Sequence, residues 1–115
     1  MSGTLRTSVA RIALLACAAL AACTQPVPPD RAAYVGEWRG TAMALLITQD
    51  GSVAYRRLHQ GINKSIDGPL KEFRGDDFVV GIGPLSTTFV VDRPPRFDGT
   101  DWRMTVDGVE LTRRR

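Results

Sequence analysis

Histidine is almost missing from this 115-residue chain; His59 is the single one. Cysteine occurs only as Cys17 and Cys23, both near the start. A zinc site needs three or four His, Cys or acidic ligands, so the composition argues against a metal, and no motif calls for a cofactor. A Ser-His-Asp arrangement would have to join His59 to Ser65 or Ser86, and no G-x-S-x-G elbow supports it. Asp76-Asp77 would point to opposite faces of a strand and read as turn residues before Phe78 rather than as an acid/base couple. Gly81-Ile82-Gly83-Pro84 is rich in glycine, yet no helix follows it to present an N-terminus to phosphate. With no catalytic constellation, the chain reads as non-enzymatic.

An excess of one charge is lacking as well. There are 15 Lys+Arg against 12 Asp+Glu, and Arg6 and Arg11 fall in the N-terminal segment. Beyond residue 22 the charges nearly balance, which speaks against nucleic acid as a partner. Arg113-Arg114-Arg115 is the one local concentration. It reads as a solvated terminus, with contact to anionic headgroups as the alternative. No apolar run is long, either. The longest, Ile12 to Ala22, would span about 16 Å as a helix, against roughly 30 Å for a hydrocarbon core.

What is present is a charged start, Arg6 and Arg11, followed by that short apolar run. This is the layout of a secretory signal over residues 1–22. Leu20-Ala21-Ala22-Cys23 at its end resembles the lipobox of bacterial lipoproteins. The resemblance implies cleavage before Cys23, a diacylglycerol on its thiol and acylation of the new amino end. The lipidation residue is therefore Cys23. Alternatives are a cut before Cys17, which leaves a hydrophobic core of about five residues, and a Cys17–Cys23 disulfide within the signal, which has little to clip. Thr24 in place of Asp implies, for that family, an outer-membrane address on the periplasmic face, with the inner membrane as the other option. Three prolines between Thr24 and Asp30 favour extended geometry. Residues 23–33 are thus expected to form a stiff tether that stands the domain off the membrane.

Residues 34–115 alternate polar and apolar positions, with Gly, Asp and Pro punctuating them. The expected fold is all-β, a small antiparallel sheet or barrel of six or seven strands. Asp107-Gly108 is a two-residue hairpin turn, which places Val106 opposite Val109 and Met104 opposite Leu111. Asp50-Gly51 turns a second hairpin from a strand over Trp38 to Thr48 into one that faces Val53 and Tyr55 inward. The run Met43-Ala44-Leu45-Leu46-Ile47, apolar at both parities, predicts cover on both faces or a bulge. Phe78 to Ile82 and Thr88 to Val91 form a third pair. Ile62 to Phe73 is expected to hold one short strand and a turn at Asp67-Gly68-Pro69. Pro94-Pro95 is expected in a loop.

Gly36-Glu37-Trp38 resembles the G-x-W signature of the first lipocalin strand, which implies a Trp packed across a barrel end beside an arginine, here Arg103 or Arg113. Met104 to Arg113 resembles the terminal hairpin of small proteobacterial lipoproteins, a likeness that carries no activity with it. Arg93-Pro94-Pro95-Arg96-Phe97 has the make-up of a docking loop. Candidate ligand- or partner-binding residues are therefore Trp38, Arg93, Arg96 and Arg103. The leading expectation is a membrane-anchored periplasmic lipoprotein that binds another envelope component, with an envelope protein as the expected partner. The alternative is a small-ligand carrier or sensor built on a reduced barrel, which predicts an internal cavity. Oligomeric state stays open, because the first and last strands can pair within the chain or leave edges.

Overall fold

A computed structural model describes residues 25–115; the expected signal, Cys17 and the expected lipidation residue Cys23 lie outside the described residues. A six-residue 3-10 helix, Pro29–Tyr34, precedes nine strands. These are β1 (Gly36–Gly40), β2 (Met43–Ile47), β3 (Ser52–His59), β4 (Ile62–Arg74), β5 (Asp77–Ile82), β6 (Leu85–Phe89), β7 (Val91–Phe97), β8 (Trp102–Val106) and β9 (Val109–Arg113). All pair antiparallel in one curled sheet of order β6-β5-β4-β3-β2-β1-β9-β8-β7. The all-β class is as expected.

The structure departs from the expected layout in three places, the first and third of which raise the strand count. The expected single strand over Trp38 to Thr48 is two, folded at Thr41-Ala42 with Ala42 at φ 61°. Ala lacks the residue type that usually marks such a turn. Met43, Leu45 and Ile47 then point inward and Leu46 outward, so the run neither bulges nor needs cover on both faces. The expected turn at Asp67-Gly68-Pro69 is extended strand, with the three residues opposite Ala54, Val53 and Ser52. Arg56 meets Asp67 through two hydrogen bonds of 2.9 and 3.1 Å across this pair of strands. Pro94-Pro95 lies within β7 rather than in a loop. The strand is an edge, and its ladder passes from Arg93 to Arg96 without using the prolines, the place where a missing N–H costs nothing.

The C-terminal hairpin forms in the expected register, Val106 opposite Val109 and Met104 opposite Leu111, with Asp107 and Gly108 at positive φ. The first and last strands do pair, Trp38 with Arg113 and Arg39 with Thr112. The two sheet edges, β6 and β7, are joined by Val90 alone. Carboxylates bond the backbone at that seam in place of a ladder. Asp107 accepts from Val90 N–H at 3.0 Å while its own N–H donates to Val90 C=O, and Asp77 accepts from Val91 N–H at 2.8 Å.

Inward parity fills the interior. Trp38, Phe78, Phe89, Leu45, Ile47, Met104 and Leu111 are all buried there. Phe78 stacks on Phe89 at 5.0 Å, and Tyr55 meets Phe89 edge-on. Trp38 is fully buried, and its Nε1 donates to Tyr34 C=O at 2.9 Å. The 3-10 helix thereby covers the end of the sheet where Tyr34 packs edge-on against Phe73 and Phe78.

Part of the segment expected as a tether over residues 23–33 packs on the sheet. Val27 is 3 % exposed, and its N–H donates to Gln49 C=O. A Cβ on Gly51 would meet the Gln25 carbonyl oxygen at 1.9 Å. The apolar Val27 gains more from burial than from the extended, solvated conformation that its proline neighbours allow. Pro29 takes the opening position of the 3-10 helix, where its missing N–H is harmless.

Truncating Trp38 to Ala removes the largest buried side chain and the anchor for Tyr34. It should cost about 3–5 kcal/mol of folding stability, read as a lower urea midpoint. Phe97→Ala at a half-exposed edge position should shift that midpoint far less.

Candidate functional site

Strand alternation divides the expected site residues. Trp38 faces the core and is unavailable to a ligand. Arg96 and Arg103 are cross-strand partners on the outward face, and Arg93 lies opposite Thr105 on the same edge. The structure therefore brings the three arginines of the list onto one edge of the sheet and separates Trp38 from them.

Arg103 is already engaged. Its guanidinium donates to Asp98, to Glu110 at 3.1 Å and to the Thr112 hydroxyl at 3.1 Å. Asp98 also accepts from the N–H groups of Thr100 and Asp101. The Arg103 guanidinium first, then these amides, hold the Asp98 carboxyl far below the usual carboxylate range. Asp98 in turn raises the Arg103 pKa. This cluster stitches the β7–β8 loop to β9, a structural use of the arginine.

Of the two arginines named for the position beside Trp38, Arg113 occupies it. Its guanidinium lies 5.8 Å from the Trp38 ring centre and 4.9 Å from that of Trp102. Gly36 makes room, since a Cβ there would meet Arg113 Cδ at 2.6 Å. The small residue two before Trp38 is thus required by the arginine stem that crosses it.

The largest cation cluster was not visible one strand at a time. Across the outward face Arg39 is opposite Ala44, Ala44 opposite Arg56 and Arg56 opposite Ser65. At the adjacent end of β3 and β4, Arg57 is opposite Lys64 and also opposite Met43, which puts these two cations on the inward parity, beyond the edge of the core. A cleft of about 560 Å3 runs between them, lined by Arg39, Arg56, Arg57, Lys64, Leu58 and Asn63 among others. Arg39 is paired with Glu37 at 2.7 Å and Arg56 with Asp67 at 2.9 Å. Arg57 and Lys64 form no ion pair among the described residues. Such an arrangement can hold an anion or a carboxylate-bearing surface.

His59 ends β3 opposite Ile62 at an exposed hairpin tip, while Ser65 is opposite Arg56 and Ser86 lies on β6. Among the described residues, no group of three or more His, Cys, Asp or Glu is placed to hold a metal ion. Comparison of the chain with protein-family models, with curated proteins and with solved structures finds no match in any of the three.

The depressed Asp98 pKa fixes the sign of one pH effect. A carboxylate with a lowered folded-state pKa adds stability above its ordinary value of 3.8 and loses it as the pH falls below that. Asp98→Asn should therefore be less stable than the parent at pH 7, with a gap that begins to narrow only below about pH 3.8 and is still largely present at pH 3, because the folded-state carboxyl titrates far lower. Urea unfolding at pH 7 and at about pH 2 measures this; a gap as wide at the lower pH as at pH 7 would refute the ionic origin.

Proposed function

We propose that the chain is a lipid-anchored protein of the periplasmic face of the outer membrane that works by binding, not by catalysis. Its partner is an anionic component of the cell envelope, held in the cleft at the Ala42 end of β1 to β4, where cations from both faces of the sheet meet. The observation that carries this reading is the cleft where Arg57 and Lys64 have no carboxylate partner among the described residues, beside the paired Arg39 and Arg56. The Leu20-Ala21-Ala22-Cys23 resemblance supports the address. A carrier of small ligands would need a hollow where Trp38, Phe78, Phe89, Leu45 and Met104 are packed, so recognition is assigned to the exterior.

Arg57→Glu with Lys64→Glu reverses the charge at the two cleft cations that form no ion pair among the described residues, and replaces no buried residue. A strain that carries this variant should become sensitive to detergents and large antibiotics like a deletion strain, with the protein at normal abundance. In-cell crosslinking from Asn63 should capture a partner with the parent chain and lose it with the variant. Full barrier function in the deletion strain, together with no captured partner, would refute the reading.

A further inference from the structure

The inward-facing parity of β5 and β6 does not end with the core. Phe78 and Val80 are buried, but the next residue of that parity, Ile82, is 72 % exposed. Its cross-strand partner Leu85 is 84 % exposed. Between them lies only Gly83-Pro84, so two large aliphatic side chains stand side by side at a rigid turn with nothing over them. Aliphatic pairs at the tip of a hairpin turn are costly in water. Lys71 reaches the same turn, its ammonium donating to Gly83 C=O at 3.1 Å.

The place of this turn in the molecule is what gives it meaning. Gln25 and Ile82 line a common cleft with Pro69, Leu70, Lys71 and Gly83. Gln25 is held there, because its carbonyl oxygen packs on Gly51, whose own C=O accepts from Leu70 N–H at 2.7 Å. The chain therefore leaves the domain beside the aliphatic turn. Cys23 precedes Gln25 by two residues, a reach of about 7 Å when extended.

We infer that the Ile82–Leu85 turn is a second membrane contact, inserted into the lipid interface beside the acyl chains of Cys23. This rests on the lipidation given under the proposed function. With so short a reach, acyl chains in the bilayer bring the turn to the headgroup layer. There Ile82 and Leu85 enter the acyl boundary, and the Lys71 ammonium stays at the level of the phosphates. The exposed face of Leu46, Ala54 and Pro69, which adjoins Ile82 in a cleft of about 480 Å3, continues the apolar contact. The domain is thereby held in one orientation, and a single anchor would otherwise leave it free to tumble.

The test uses the full, processed chain reconstituted into vesicles of phosphatidylethanolamine and phosphatidylglycerol. Leu85→Cys carries an environment-sensitive dye, and Glu110→Cys, on the outward face of β9, carries it as the control. The dye at position 85 should shift to the blue and be quenched several-fold more strongly by spin-labelled lipid than the dye at 110. Adding Ile82→Asp to Leu85→Cys, at another exposed position, should remove most of that quenching without changing the circular dichroism spectrum. Equal, weak quenching at both positions would overturn the proposal, and equal, strong quenching would overturn the orientation it asserts. The intact mass of the same sample reports acylation of Cys23. An unmodified Cys23 would remove the anchor and this placement with it, and the mass distinguishes that failure from a turn that stays in water beside an intact anchor.

Discussion

The burial of Trp38 is the constraint on which the remaining structure depends. An indole placed in a dry interior needs an acceptor for its N–H, and Tyr34 C=O supplies it. That bond sets the 3-10 helix over one end of the sheet. Tyr34 then packs on Phe73 and Phe78, and its hydroxyl donates to Asp76 C=O at 2.8 Å, which ties down the β4–β5 turn. On its other side, Trp38 is opposite Arg113, whose guanidinium lies over both Trp38 and Trp102. One residue thus couples the helix, the first strand, the last strand and a distant turn. Burial at the Tyr34 hydroxyl, more than the nearby Asp76 carboxylate, raises its pKa, so it remains a donor in this role.

A sheet whose interior is filled offers a partner its outer face and its rims. The outward face is graded. Toward the chain's exit at Gln25 it carries Leu46, Ala54 and Pro69, and one alternate row further along it carries Arg39, Arg56 and Ser65. Glu37 and Asp67 sit at the two ends of the Leu46–Ala54 row, opposite Leu46 and Ala54, and neutralise Arg39 and Arg56 in the next row. Within the cleft, Arg57 and Lys64 form no ion pair among the described residues, and both lie on the opposite parity from Arg39 and Arg56.

Much of the fold was legible in the sequence because local turn chemistry and the apolar pattern agreed. Asp107-Gly108 and Asp50-Gly51 each carry residues that accept the turn geometry, and both hairpins follow. Where the turn lacks a marker, as at Thr41-Ala42, the strand division was hidden. Where a marker is present but the neighbours over-rule it, as at Gly68-Pro69, a turn was expected and a strand exists. Pro94-Pro95 misled for a different reason, since proline excludes a central strand but tolerates an edge, and position in the sheet is not a local property. The site was less legible. Arg93, Arg96 and Arg103 stand out along the chain, whereas Arg39, Arg56, Arg57 and Lys64 gather only through the register of four strands. Arg56-Arg57 alone predicts one cation on each face, not a cleft.

The short distance from Cys23 to Val27 has a mechanical consequence for the proposed function. A long flexible linker would let a lipid-anchored domain sample many orientations and search a wide volume. Here the chain is docked from Val27 onward, so an acylated Cys23 leaves only a few residues of freedom. Such a protein trades reach for a defined presentation of its outer face. The cost of ordering a partner at a surface falls when one side is already oriented. That favours recognition of a component that itself lies at or in the membrane over one that spans the periplasm, because a domain held this close cannot stretch to meet a distant partner.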